Sequence, residues 1–150
     1  MATNHKIAKK AYATYNVAMK ILLKRGEEYL FLVDSTGQRL DLPGGRIDED
    51  EHLVSLEKIL GREVWEELGS DLKYKLGNPI FQFRRHFEKK NMHVFITVYE
   101  AEYLSGEINL SPEHCEYRWI DKKECKFKNK DFVSEEEYST FKQYFSSVNK

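Results

Sequence analysis

The chain has 150 residues, 41% apolar and 13% aromatic, enough for one compact domain with a true core and too few for a second full one. Its 24 basic and 25 acidic side chains leave a formal net charge of −1, which excludes a broad basic surface for nucleic acid or an anionic membrane, so any charge-based function must be local. Cys115 and Cys125 lie outside any CxxC pattern, and no secretory h-region or long apolar span occurs, so a reduced, cytoplasmic protein is expected.

Residues 1–14 are basic and read as a flexible or edge arm. From Asn16 to Val33, two runs of apolar and β-favouring residues flank Lys24-Arg25-Gly26-Glu27, which predicts a β-hairpin. Asp34 to Gly37 reads as a loop, and Arg39 to Leu42 as a short extended piece ending in a turn at Pro43-Gly44-Gly45. After the polar loop RIDEDEH, the residues Leu56, Ile59, Leu60, Val64 and Leu68 recur at spacings of three and four. That spacing predicts a helix from about Ser55 to Leu68, with Gly69 as its C-cap. IFQFRRHF and MHVFITVYEAEYL predict a second hairpin around Glu88-Lys-Lys-Asn91, and YRWI a brief final strand. Ser134-Glu-Glu-Glu137 reads as a capping box for a closing amphipathic helix carrying Tyr138, Phe141 and Phe145. Strands outnumber helices, so the expected fold is α/β in the α+β sense, a mixed sheet flanked by helices, in a single domain over 1–150.

The predicted mid-chain helix places Glu63, Glu66 and Glu67 on one face, with side chains about 5–6 Å apart. Like-charge pairs on an exposed helix cost only a few tenths of a kcal/mol, so a solvated acidic face is energetically acceptable. Two features favour another reading. The triplet lies at the negative end of the helix dipole, and it follows a Pro-Gly-Gly turn that can bring backbone oxygens close. A divalent cation resolves both, and Mg²⁺ is usually held by a few carboxylates together with substrate phosphates.

Gly45, Glu51 and then Arg62-Glu63-Val64-Trp65-Glu66-Glu67-Leu68-Gly69 resemble the box of the Nudix (MutT-like) hydrolase family: a glycine, five residues, a glutamate, a spacer, then REUxEExG with U apolar. By chance the last part alone arises in such a chain on the order of once in ten thousand or less. The box departs from the family pattern in two places. The spacer from His52 to Gly61 has ten residues instead of seven, and Ser70 takes the last apolar position. Three residues inserted within the helix would rotate its upstream face by about 60°. The polar loop before Ser55 is the better place for them.

The resemblance implies a Nudix-like mixed sheet sandwiched between helices. It also implies hydrolysis of a nucleoside diphosphate linked to another moiety, with Mg²⁺ or Mn²⁺ as cofactor. By the same carry-over Glu66 and Glu67 are metal ligands, and Glu63 is a ligand or the general base. Arg62 positions a neighbouring carboxylate through its planar fork, and the Gly44 carbonyl is a further ligand. Glu113 or Glu116, from the loop before the last strand, supplies one more acid, with Glu113 the better match. His114 beside Cys115 lacks a second ligand pair for zinc and reads as a surface imidazole.

Candidates to bind the base or phosphates are Tyr15, Phe81, Phe83, Arg84, Arg85, His86 and Phe87, although strand aromatics equally suit a core. Arg84 to Glu88, RRHFE, matches no substrate-diagnostic signature. The expected partner is therefore a small-molecule nucleotide of open identity. Extensive RNA contact is disfavoured, and capped RNA and homodimerisation stay open. Two other functions also remain: a Nudix-fold binding or regulatory module without turnover, and a structural acidic helix that binds no metal.

Overall fold

The computed structural model describes residues 10–150. Most of the expected 1–14 arm lies outside them, and 10–14 have no regular structure. The strands are β1 (Asn16–Arg25), β2 (Glu28–Asp34), β3 (Leu40–Asp41), β4 (Gly44–Arg46), β5 (Lys73–Phe87), β6 (Met92–Ser105) and β7 (His114–Asp121); the helices are α1 (Leu56–Leu68) and α2 (Glu135–Val148). One seven-stranded sheet runs in the order β3-β2-β1-β6-β5, with β4 also pairing β1 and β7 also pairing β2.

β1 is antiparallel to β2 and β4 and parallel to β6, a mixed sheet as the sequence predicts. Residues 18–23 of β1 are buried without interruption, because helices cover both faces and period-2 alternation sends neighbouring side chains to opposite ones. Ala18 and Leu22 join Phe31 and Val33 in a core with Phe141 and Phe145 of α2. Met19, Ile21 and Leu23 join Leu30 and Leu32 against Ile59, Leu60, Val64 and Leu68 of α1. Leu56, expected in that stripe, is 53% exposed, since it occupies the first turn, beyond the edge of the core.

Helix α1 starts at the predicted cap, where the Ser55 hydroxyl accepts from the Lys58 N–H, and ends at Gly69, whose φ of 88° needs a residue without Cβ. It runs unbroken into the carboxylates. In α2 the capping box is only half formed. Ser134 Oγ accepts from the Glu137 N–H at 3.1 Å, but the Glu137 carboxylate turns instead to Arg85. Three elements exceed their predicted length or type. β5 begins at Lys73, well before Ile80; β7 spans eight residues; and Gly44 to Arg46 pair with β1 as β4 where only a turn was expected. Among the described residues no helix is long and apolar enough to cross a membrane.

Candidate active site

A cleft of about 580 Å³ opens where β4, the carboxylate end of α1, the β5–β6 tip and the start of β7 meet. Glu63, Glu66, Glu67, Arg62, Gly44, Gly45 and Glu113 all line it. The helix presents the carboxylates as its i, i+3, i+4 spacing requires, and β4 lays its two glycines directly against them. The Gly44 N–H donates to Glu67 Oε2 at 3.0 Å. A Cβ at Gly45 would run into the Glu63 carboxylate, so the bare backbone there is what lets the acid approach.

Arg62 organises the outer half of the cleft. Its Nη2 and Nε donate to the two oxygens of Glu51 at 2.6 and 3.1 Å, a bidentate pairing that needs a planar fork. Its Nη1 reaches Glu63 at 2.9 Å and Glu66 at 3.2 Å. The guanidinium holds the Glu51 carboxyl below its ordinary range. Glu63 is pushed up by burial, which Arg62 only partly offsets. Glu67 is 8% exposed, and burial pushes it up to about 7 against the pull of Lys20 and the Gly44 N–H.

Behind Glu67 lies a buried ionic floor. Lys20 Nζ pairs with Asp41 at 2.9 Å, and Arg85 bridges Asp41 at 3.1 Å and Glu137 at 2.5 Å. Burial opposes ionisation of Asp41, but Lys20 and Arg85 hold it well below the usual carboxylate range. His114 Nε2 lies 3.7 Å from Asp41 Oδ2. Its burial, which favours the neutral ring, is outweighed by Asp41 and Glu67, so its pKa is raised.

The residues fit a divalent cation. One donor atom each from Glu67, Glu113 and His114 lies within 4.8 Å of the others, and the Glu67 carboxylate is buried with a single hydrogen bond, from the Gly44 N–H. Glu63 and Glu66 share the cleft on the Arg62 side. Glu116, the alternative to Glu113, instead accepts from Arg118 at 2.6 Å away from the cleft.

The expected base and phosphate contacts are redistributed. Phe83 is 2% exposed and packs on Phe141, so it belongs to the core. Arg84 occupies the face of β5 opposite Arg85 and pairs with Glu136 and the Tyr15 hydroxyl, and neither Arg84 nor Tyr15 lines the cleft. Arg85 does line it, but its guanidinium is consumed by Asp41 and Glu137. Phe81 packs against Phe141 and Tyr144, and His86 lies against His93. Phe87 alone of the aromatic candidates reaches the cleft, beside Met92, Arg46 and Lys90. His114 is buried, not a surface imidazole. A lone Lys20 in the apolar run NVAMKILL was a legible sign of a buried charge, but nothing local signalled its partners.

The NUDIX domain model matches residues 14–142. The chain belongs to the NUDIX family. This Nudix chain is similar to the MutT protein of Methanosarcina mazei Go1, with 27% identity over 94% of this chain and 99% of that one and a TM-score of 0.70. It shares its fold with a NUDIX hydrolase from Nitrosomonas europaea (16% identity, 89% and 90% of the two chains, TM-score 0.67). It also shares it with a C. elegans Ap4A hydrolase (17%, 89% and 98%, TM-score 0.62). Among curated proteins none matches significantly. The Nudix box thus coincides with the carboxylate wall of the cleft.

Proposed function

We propose that this Nudix protein hydrolyses a phosphoanhydride bond in a nucleoside diphosphate linked to another moiety, by water attack on phosphorus with Mg²⁺ or Mn²⁺. The observation that carries the reading is the convergence of Glu63, Glu66 and Glu67 of the box, with Glu113, on one cleft, where the Glu67 carboxylate is buried with a single hydrogen bond, from the Gly44 N–H. Glu63, Glu66, Glu67, Glu113 and the Gly44 backbone would hold the cation. Bound there, it would neutralise diphosphate charge, polarise phosphoryl oxygens and acidify a water.

The chain's own groups do the rest. Arg62, anchored on Glu51, keeps Glu63 and Glu66 in position. Glu63, whose pKa is raised by burial, is suited to take a proton from the attacking water. Arg46 and Lys90 at the cleft mouth give phosphates a positive rim, and Phe87 with Met92 offers an apolar face to a base. Proteins of this fold named as an Ap4A hydrolase, an ADP-ribose pyrophosphatase and a UDP-X diphosphatase define the substrate panel. Both cysteines are free, which suits a reducing, cytoplasmic setting.

The test is mononucleotide release from nucleotide sugars, ADP-ribose, dinucleoside polyphosphates, nucleoside triphosphates and capped RNA fragments, with either metal and a Glu66→Gln control. Metal-dependent cleavage that the variant loses is expected. Unchanged turnover in the variant sinks the role of the box. Metal binding without cleavage anywhere in the panel replaces the hydrolase with a binding module.

A further inference from the structure

The loop that enters β7 and the first residue of that strand carry an imperfection absent elsewhere among the described residues. Among the described residues, two buried side-chain polar atoms lack a hydrogen-bond partner: Ser111 Oγ in this loop and Nδ1 of His114, the first residue of β7. Leaving such an atom unsatisfied costs on the order of 1–3 kcal/mol. The loop is not loose enough to relieve it. The Ser111 N–H donates to the Glu67 carbonyl at 3.0 Å, the Ser35 N–H to the Glu113 carbonyl at 3.1 Å, and Ser35 Oγ to the Pro112 carbonyl at 3.0 Å. The loop is thereby fixed both to the last turn of α1 and to the end of β2.

His114 is 7% exposed. One of its nitrogens lies within 4.8 Å of carboxylate oxygens from both Glu67 and Glu113. Asp41 stands 3.7 Å from Nε2, and a carboxylate beside an imidazole is the arrangement that orients the ring of a metal-bound histidine.

Resting on the metal-dependent reading above, we propose that an imidazole nitrogen of His114, with the carboxylates of Glu67 and Glu113, forms a mixed nitrogen and oxygen site for one divalent cation. The consequence is selectivity. Mg²⁺ takes oxygen ligands and sheds water reluctantly, whereas imidazole suits borderline transition metals. This site therefore favours Mn²⁺ or Co²⁺ over Mg²⁺, and the nitrogen comes from a residue outside the box.

The experiment is pulsed EPR of Mn²⁺ bound to the full, tag-free chain, with calorimetric Mn²⁺ and Mg²⁺ titrations of the parent and His114→Gln. A ¹⁴N coupling in the parent is expected, replaced by a ¹⁵N pattern on histidine labelling. In folded His114→Gln it disappears, and Mn²⁺ affinity falls on the order of tenfold, with Mg²⁺ affinity falling less. Of the described histidines only His114 lines the cleft, so the labelled and unlabelled spectra of a chain carrying His5→Gln decide the question even if the His114 variant does not fold. Bound Mn²⁺ without nitrogen coupling overturns this inference and leaves the proposed hydrolase intact. No Mn²⁺ binding at all overturns both.

Discussion

Glu67→Gln should make the metal-free protein more stable, by little at pH 5 and by most at neutral and alkaline pH. The Glu67 carboxyl ionises near 4.5 in the unfolded chain and at about 7 in the fold, chiefly because it is buried. A raised carboxyl pKa means the folded state holds its proton longer, so the contribution is fully present below pH 4.5 and is lost as pH rises through 7. Integrated, the loss reaches about 3 kcal/mol at pH 8 and stays under about 1 kcal/mol at pH 5. Glutamine never ionises, and its amide oxygen can still accept from the Gly44 N–H, so the variant escapes that loss. For a chain of this size the gain corresponds to a midpoint rise of up to roughly 10 °C at pH 8. The assay is thermal and urea unfolding in EDTA at pH 5 and pH 8. Saturating Mn²⁺ should then stabilise the parent more than the variant. Equal stability at pH 8, or an equal gain at both pH values, refutes the argument that buried charge at Glu67 is held in reserve for a cation.

Arg85→Met leaves Asp41 and Glu137 short of a buried cation and should cost about 3–5 kcal/mol in urea unfolding; adding Glu137→Met should recover part of that, and no recovery would show that the pair is not the cause. Gly45→Ala places a methyl against the Glu63 carboxylate, a side-chain end that can move, whereas Gly44→Ala strikes the Met19 carbonyl and the Lys20 backbone at a φ of 137°. The first should fold and lose metal affinity by calorimetry, and the second should lose several kcal/mol of stability. Arg62→Lys keeps the charge but not the two-pronged grip on Glu51, so kcat should fall on the order of a hundredfold with thermal stability little changed. A variant that keeps full kcat removes Arg62 as a positioning residue.

Helix α1 and its carboxylate face were legible because one periodic stripe, one serine cap and one terminal glycine agree. The early start of β5 was not, because Gly77 and Pro79 argue against a strand interior. They are tolerated since β5 is the edge of the sheet and its register against β6 shifts around them. Phe83, Arg84 and Arg85 stood together as candidates in the sequence, and nothing local said that Phe83 and Arg85 are buried while Arg84 is exposed. Lys20, Asp41, Arg85 and His114 come from β1, β3, β5 and β7, so their meeting depends on a strand order that no local pattern encodes.

That meeting answers why the last turns of α1 crowd their acids. The cleft and the residues around it hold two populations of carboxylate, distinguished by whether the protein supplies a cation. Asp41 and Glu137 face Lys20 and Arg85, and Glu51 takes the fork of Arg62. Glu63 and Glu66 share what remains of that one guanidinium, and Glu67 has a backbone N–H, a lysine already committed to Asp41 and the His114 ring. Because burial raises the energy of an unpaired charge, the deficit concentrates at Glu67 and its neighbours on the loop before β7. The cation that the proposed chemistry needs would meet Glu67, the most buried of the three helix carboxylates, with Lys20 and Asp41 of the ionic floor behind it.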